Sequence, residues 1–145
     1  MYLAQANFAI WKEDVSAESV KTFLDFANQI MSSSMANSAW VWSRPGSFFN
    51  DISVVEVFAN SKIILNVSVW KDFLSLKQFV YNDVHLKAMK NRHLWFDIVP
   101  DQASVLWWVA PQHQPTLEEA QEKFQLLNHI GPSIEAFTFS NFYES

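Results

Sequence analysis

The sequence contains no cysteine, only two glycines and no long hydrophobic run, and each of these shortages excludes a class of protein. Without cysteine the chain has no disulfide, no thiolate nucleophile and no cysteine-ligated metal. With two glycines it cannot build a glycine-rich phosphate cradle, and it lacks the GxGxxG, P-loop and GxSxG motifs, so nucleotide chemistry is disfavoured. No run approaches the roughly 18 apolar residues of a membrane span, and the N-terminus carries no secretion signal, so we expect a cytoplasmic protein outside the membrane.

Basic residues are also few and scattered. Ten Lys and Arg stand against 15 Asp and Glu, which leaves a net charge of -5. Because no basic cluster could neutralise a phosphate backbone, nucleic acid is not an expected partner. The four histidines show no HExxH motif and no i, i+4 pairing, and no carboxylate stands at a ligand spacing, so we predict no metal site.

Aromatic residues, in contrast, are abundant. The 145 residues are half hydrophobic and include seven Trp and 13 Phe, which predicts one well-packed globular domain over residues 1–145. This is more aromatic surface than a small core usually needs. The surplus rings therefore fill the core, form a subunit interface or line an apolar pocket.

The hydrophobic pattern alternates between extended and helical segments. It predicts strands over residues 2–11, 38–43, 53–59, 63–70 and 103–110. Helical spacing predicts helices within 14–34, 71–97 and 116–131, and Thr116 with Glu119 forms a capping-box pattern. The tail at 135–143 is expected to add an edge strand or to cover an apolar face. This order predicts the α+β class, with a ferredoxin-like antiparallel sheet and helices packed on one face.

Polar residues line one edge of the middle helix. Tyr81, His85 and Arg92 lie four and seven residues apart, which places them beside the apolar stripe that includes Trp95. One interpretation is a structural boundary, in which the side chains hydrogen-bond each other or the backbone. The other is a reactive site that faces the sheet. His93 falls on a different face of the helix and is expected to be solvated.

Two predicted strands also carry polar residues on one face. Asn7 shares a face with Gln5, and Asn66, Ser68 and Trp70 share a face of another strand. These side chains lie in a cleft under the helices, at a subunit interface, or on a half-solvated sheet face. His113, between two prolines in "PQHQP", is either held over the mouth of a pocket or simply exposed.

The segment "ILNVSVWKDFLSLKQFVYNDVH" resembles the dimeric α/β-barrel superfamily, which includes antibiotic-biosynthesis and haem-degrading monooxygenases. More closely, "LAQANFAIW", "VLWWVAPQHQPTLEEA" and "GPSIEAFTF" are similar to the domain-of-unknown-function family 3291. The resemblance implies a ferredoxin-like subunit whose sheet pairs with a second copy, so that a homodimer forms a barrel. It also implies a cavity between the sheet and the helices of each subunit.

The resemblance implies a function for the polar residues as well. The cofactor-free oxygenases of the superfamily bind an aromatic polyketide and stabilise an enolate, so we expect monooxygenase-like or enolisation and cyclisation chemistry on an apolar substrate. His85 is the expected acid or base, with Tyr81 and Arg92 as its catalytic supports. The expected substrate-binding residues are Asn7, Asn66, Ser68, Trp70, Trp95 and His113. No cofactor is expected.

Two alternatives stay open. In the haem-degrading relatives a strand Asn, a helix Trp and a helix His form the site. Asn7 matches the first, but Phe79 stands at the Trp position and Met89 near the His position, while His85 lies one turn earlier. This departure disfavours haem degradation and leaves haem binding through His85 as an alternative. The third possibility is a ligand-binding or assembly module without catalysis.

Overall fold

The computed structural model describes residues 1–48 and 50–145, and its centre is a four-stranded antiparallel sheet. The strands are β1 (Tyr2–Ile10), β2 (Trp40–Ser43), β3 (Ile63–Trp70) and β4 (Ser104–Val109). They lie in the order β2-β3-β1-β4, so the first strand is central and the last lies at an edge. This is the order of a ferredoxin-like sheet, and the predicted α+β class is confirmed.

Five α-helices surround the sheet in the part of the chain that the structure describes, and each begins at a polar cap. The helices are α1 (Ala17–Met35), α2 (Ile52–Phe58), α3 (Phe73–Val80), α4 (Asp83–Asn91) and α5 (Leu117–Ile130). The side chains that cap them accept a hydrogen bond from the backbone N–H three residues ahead, and they are Ser16, Asp51, Asp72, Asn82 and Thr116. These bonds satisfy N–H groups that the first turn of a helix leaves free.

The segment 53–59, predicted as a strand, is helix α2 instead. Its valines favour a strand by propensity, but propensity is weaker than packing and capping. Asp51 caps the segment, and Arg44 holds the Asp51 carboxylate at 3.0 Å. Val54 and Phe58, four residues apart, then face the core on one side of the helix.

The segment 71–97, predicted as one helix, is divided between Val80 and Asp83. Tyr81 ends α3, and the Asn82 side chain accepts a hydrogen bond of 2.9 Å from the His85 backbone N–H. Asparagine favours the cap position over the helix interior because its side chain competes for backbone hydrogen bonds. The chain therefore restarts as a separate helix, α4, which is followed by a 3-10 turn at Arg92–Leu94.

Helices cover both faces of the sheet, whereas the sequence predicted helices on one face. We call the side that carries Gln5, Asn7, Asn66 and Ser68 the polar face, and α1, α3 and α4 lie over it. On the opposite side, the core face, the alternate residues of the strands are almost all apolar. They pack against Val54 of α2 and against Ala120, Phe124 and Leu127 of α5. The single-face prediction was wrong because α2 was read as a strand and the place of α5 depends on tertiary contacts.

The chain beyond α5 covers the outer edge of β4. Leu106 and Phe137 exchange two backbone hydrogen bonds of 2.8 and 2.9 Å, and Phe137 is fully buried. The edge strand is thereby protected from pairing with another chain at this point. The tail makes an isolated bridge and no strand in the described residues, so of the two expectations the covering of an apolar surface is confirmed. None of the helices that the structure describes combines the length and the apolarity needed to cross a membrane.

The packing of α5 on the core face can be tested at Phe124, which is 5% exposed and makes edge contacts with Phe8 at 5.1 Å. We expect Phe124→Ala to lower the free energy of unfolding by about 3 to 5 kcal/mol, because it leaves a cavity between α5 and the sheet. The neighbouring and exposed Gln125→Ala is the control and should change it by less than about 0.5 kcal/mol. Urea denaturation of both variants measures the difference, and equal small effects would show that α5 is not seated on the sheet.

Candidate functional site

A cavity of about 390 Å³ lies between the polar face of the sheet and helices α1, α3 and α4. This volume is within the usual range for sites that bind small molecules. Its walls are mainly aromatic and aliphatic, and the rings belong to both the sheet and the helices. The aromatic wall residues include Phe23, Phe26, Trp70, Phe79, Trp95 and Phe96. Part of the aromatic surplus in the sequence therefore lines a pocket.

Two rows of polar side chains cross the strands and form the floor of the cavity. In one row, Ser43 lies opposite Ser68, and Ser68 lies opposite Gln5. In the other, Asn7 of the central strand lies between Asn66 and Ser104. All six side chains line the cavity. The two rows differ in whether their polar groups already have partners.

The row that contains Ser68 is hydrogen-bonded within itself. Gln5 Nε2 donates to Ser68 Oγ at 2.7 Å, and Trp70 Nε1 donates to the same oxygen at 2.9 Å. Ser43 Oγ accepts from Trp40 Nε1 at 2.8 Å. Gln5 and Ser68 are both buried, so these bonds offset the cost of removing their polar groups from water. We call this set the paired row, and its role is to hold the Trp70 ring in place.

The row that contains Asn7 has no such bonds. The side chains of Asn7, Asn66 and Ser104 make no hydrogen bond with any residue that the structure describes. Directly opposed residues of an antiparallel pair have Cβ atoms about 4.5 to 5.5 Å apart, so the two amides lie side by side. This unpaired row offers amide and hydroxyl groups to a molecule in the cavity.

The opposite wall is formed by the residues around the break between α3 and α4. Tyr81, His85 and Arg92 all line the cavity, although they do not belong to one continuous helix. Tyr81 and Arg92 are largely exposed, and neither side chain has a hydrogen-bond or ion-pair partner among the described residues. Three groups with different chemistry therefore face the unpaired row across the cavity.

His85 is the least solvated of these three groups. The imidazole packs edge-on against Phe79, with ring centroids 4.9 Å apart, and its Nδ1 is buried without a hydrogen-bond partner in the described part of the chain. Burial lowers the pKa of His85 below its ordinary value of 6.5. The nearby backbone carbonyl of Phe79 acts in the opposite direction, but its contact with the ring falls short of the geometry of a hydrogen bond to Nδ1, so burial is the larger effect. The ring is therefore neutral at pH 7 and is able to accept a proton.

Eight of the nine predicted site residues line the cavity, and His113 does not. His113 lies beside α5, where its Nε2 is 2.5 Å from Glu119 Oε1. The other oxygen of Glu119 accepts a hydrogen bond of 2.7 Å from the indole N–H of Trp107, which belongs to the core face. The expectation that His113 lies over the pocket was wrong because the loop after β4 turns toward α5, on the opposite side of the sheet. The Glu119 carboxylate, expected to complete the capping box, is used in these contacts.

Other wall residues were not predicted from the sequence. Ser104 begins β4, and only the register of β1 with β4 places it beside Asn7. Phe139 reaches the cavity from the C-terminal tail and makes an edge contact with Tyr81 at a centroid distance of 6.4 Å. The alternating phenylalanines of the tail were visible in the sequence, but nothing in that pattern indicates which ring reaches the cavity.

Comparisons with known proteins give a family and a fold. The family described as "Domain of unknown function (DUF3291)" matches residues 2–145. No curated protein matches the chain at a significant level. A protein of unknown function from Nitrosomonas europaea has a similar structure, with a TM-score of 0.51 at 14% identity over 79% of this chain and 95% of the other. At this identity the similarity concerns the fold alone.

Two further solved structures are similar over most of their own length. A conserved protein from Methanosarcina mazei Go1 has a TM-score of 0.48 and 14% identity, over 68% of this chain and 85% of that one. A protein from Pseudomonas aeruginosa has a TM-score of 0.49 and 12% identity, over 72% of this chain and 88% of that one.

The difference between the paired row and the unpaired row can be measured as a change in the free energy of unfolding. Ser68→Ala leaves the buried Gln5 amide and Trp70 N–H without their acceptor, so we expect it to cost about 1 to 3 kcal/mol for each unsatisfied group. Asn66→Ala is the matched control, two residues away on the same face of the same strand, and should cost less than about 0.5 kcal/mol. Urea denaturation measures both, and a larger loss at Asn66 would contradict the assignment of the rows.

The lowered pKa of His85 predicts a pH dependence of stability. Between the pKa of the folded protein and 6.5, the unfolded chain binds a proton that the folded protein resists, so stability is complete above pH 6.5 and falls below it. We expect wild type to lose more stability between about pH 7.5 and about pH 5.5 than His85→Gln. The exposed His93→Gln is the control. Equal losses in wild type and His85→Gln would contradict a neutral, buried imidazole, and NMR titration of the ring gives the pKa directly.

Proposed function

This chain belongs to the family described as DUF3291, and we propose that it is a small-molecule enzyme that binds an apolar, aromatic substrate in the cavity and uses His85 as a general base. The single observation that carries the proposal is the state of His85. Its imidazole lies in the wall of an aromatic cavity, with a lowered pKa and a buried nitrogen that has no partner in the described structure. Titratable groups perturbed in this way are concentrated at functional sites.

The proposed step is the removal of a proton from a carbon next to a carbonyl group. Neutral His85 accepts the substrate proton at the ring nitrogen that carries no proton. The electrons of the broken C–H bond move to the carbonyl oxygen and form an enolate. The Tyr81 hydroxyl and the Arg92 guanidinium donate hydrogen bonds to this oxygen as its charge develops. In a substrate whose carbonyl is conjugated with a C=C bond, return of the proton from His85 to the far carbon of the dienolate shifts the double bond and isomerises the substrate. In a substrate with a second carbonyl group, attack of the enolate carbon on that carbonyl closes a ring, and the alkoxide that forms takes the proton back from His85.

The environment of His85 suits this role. A general base is most effective when its pKa lies near or slightly below the working pH, because it is then unprotonated and still accepts a proton readily. The aromatic rings around His85 lower the local dielectric on that side of the cavity, which strengthens hydrogen bonds to a developing negative charge. The amides of Asn7 and Asn66 lie on the opposite wall, where they orient the carbonyl or hydroxyl groups of the substrate. Enolisation of this kind requires no nucleotide.

Haem fits the described walls less well. The imidazole of His85 would be the axial ligand. The two propionates of haem each need a cationic or polar partner. Arg92 is the only cationic side chain among the described wall residues, because His85 is neutral. A Soret band on reconstitution that His85→Ala abolishes would nevertheless replace the proposal.

The proposal includes a homodimer, and its support is the resemblance of the sequence to dimeric α/β barrels. In those barrels two sheets face each other. Here α2 and α5 cover the core face. Two copies therefore pair these sheet faces only if the two helices are displaced. Otherwise the dimer forms through another surface. Native mass spectrometry of the purified protein reports the mass of the assembly and any small molecule that it retains.

The base can be tested with 2-tetralone, a flat aromatic ketone with an acidic C–H group. We expect the protein to accelerate exchange of this hydrogen for deuterium in D₂O, followed by NMR, and His85→Gln to lower the protein-catalysed rate by about a hundredfold or more. The control is His93→Gln, which removes an exposed histidine outside the cavity. Exchange at the wild-type rate in His85→Gln, or no exchange above that of buffer, would contradict the proposed role of His85.

A further inference from the structure

We infer that the natural ligand of the cavity carries one anionic group, such as a carboxylate, on a flat apolar body, and that the anionic group binds Arg92. This inference concerns the same cavity and rests on the proposed function for its location. It does not depend on His85 being a base. Four features of the walls support it: their charge, the state of Arg92, the shape of the apolar surface and the position of the unpaired row.

The charge of the walls is opposite in sign to that of the protein. The chain has five more acidic than basic residues, yet no Asp or Glu is among the described residues that line the cavity. The described wall carries one formal charge at pH 7, the guanidinium of Arg92. A cationic ligand would lose its hydration without gaining a counter-ion, whereas an anionic ligand would gain one. The walls therefore select against cations.

The two arginines of the chain are in different states. Arg44 forms a two-pronged contact with the carboxylate of Asp51, with N–O distances of 3.0 and 3.5 Å, and holds the start of α2. Arg92 has no ion pair and no side-chain hydrogen bond with any residue that the structure describes. A guanidinium presents donors in a planar fork that matches a carboxylate. The fork of Arg92 is free to bind such a group in a ligand. A two-pronged contact uses two of the five N–H donors of the guanidinium, so a further donor stays available to the enolate oxygen.

The remaining surface indicates the rest of the ligand. Trp70 and Phe79 pack at a tilt with ring centroids 4.9 Å apart, and Trp95 is held against Phe23 at 5.4 Å, so the rings on both sides are fixed by their neighbours. Fixed aromatic walls favour a flat, apolar body. The unpaired row lies on the sheet, opposite the helical wall that carries Arg92. A ligand that spans the cavity thus has its anion at Arg92 and a carbonyl or hydroxyl group at Asn7 and Asn66.

Two fluorescent probes that differ by one charge test this inference. 1-Anilinonaphthalene-8-sulfonate and N-phenyl-1-naphthylamine share the same rings, and only the first carries a sulfonate. We expect wild type to bind the sulfonate at least about tenfold more tightly, because a hydrogen bond to a charged group is worth roughly that factor or more. Arg92→Gln should weaken sulfonate binding by about ten- to a hundredfold and leave the uncharged probe unaffected. Arg92→Lys, which keeps the charge and loses the fork, should lie between them.

The matched control is Lys90→Gln, which removes the same charge from an exposed position two residues away and outside the cavity wall. It should bind both probes as wild type does. An equal loss in Lys90→Gln would attribute the preference to the general potential of the surface and overturn the inference. Equal affinity of wild type for both probes would also overturn it, while leaving the cavity as an apolar binding site.

The deuterium-exchange experiment tests the proposed function separately from the anionic ligand. If deuterium exchange of 2-tetralone depends on His85 but the two probes bind equally, the base stands and the anionic ligand is rejected. If the sulfonate depends on Arg92 but no exchange occurs, the protein binds an anionic ligand without the proposed chemistry. If neither probe binds and no exchange occurs, both are rejected.

Discussion

Both faces of the sheet are covered by helices of the same chain, and this constraint determines which polar groups the interior can hold. On the core face the alternate residues of β1, β3 and β4 are apolar, and α2 and α5 pack on them directly. The polar face carries amides and hydroxyls, which cannot pack in this way without hydrogen-bond partners. The paired row satisfies its own groups around Ser68. The unpaired row does not, and the cavity lies above it.

The cavity stays open because the rings around it hold one another. Phe23 makes edge contacts with Trp11, Trp95 and Phe96 at centroid distances between 5.1 and 5.4 Å. Edge-to-face contacts of this kind fix each ring in orientation as well as in position. Protein interiors are close-packed, so a void persists only where the surrounding side chains cannot move to fill it. The aromatic surplus therefore keeps the cavity from collapsing, in addition to filling the core.

The alternation of residues along the strands was sufficient to predict which side chains share a face, but not how the strands are paired or where each helix begins and ends. Alternation along β1 and β3 placed Asn7, Asn66 and Ser68 on one face, because side chains in a strand alternate whatever the strand contacts. The register between strands was not visible, so the separate roles of Ser68 and Asn66 were not predicted. The prediction also differs from the structure where the secondary-structure preference of a segment competes with its capping and packing. The valines before Phe58 favour a strand, but the cap and the packing of α2 prevail, and Asn82 ends one helix and begins another. His113 could not be placed, because its partner Glu119 is adjacent only in the folded loop.

The position of α4 follows from the cavity beneath it. No residue of this helix is fully buried, although the side chains of His85 and Ala88 line the cavity. An amphipathic helix normally gains most of its stability by burying its apolar face. In α4 only Ala88 packs against a buried cluster, that of Trp11, Ile64 and Trp95, while His85 borders the cavity. Its ends are held by the Asn82 cap and by Trp95, which is 1% exposed and whose backbone carbonyl accepts a hydrogen bond of 2.9 Å from Lys12. A molecule bound in the cavity, as proposed, would supply the apolar surface that the helix lacks and would stabilise α4 by its binding.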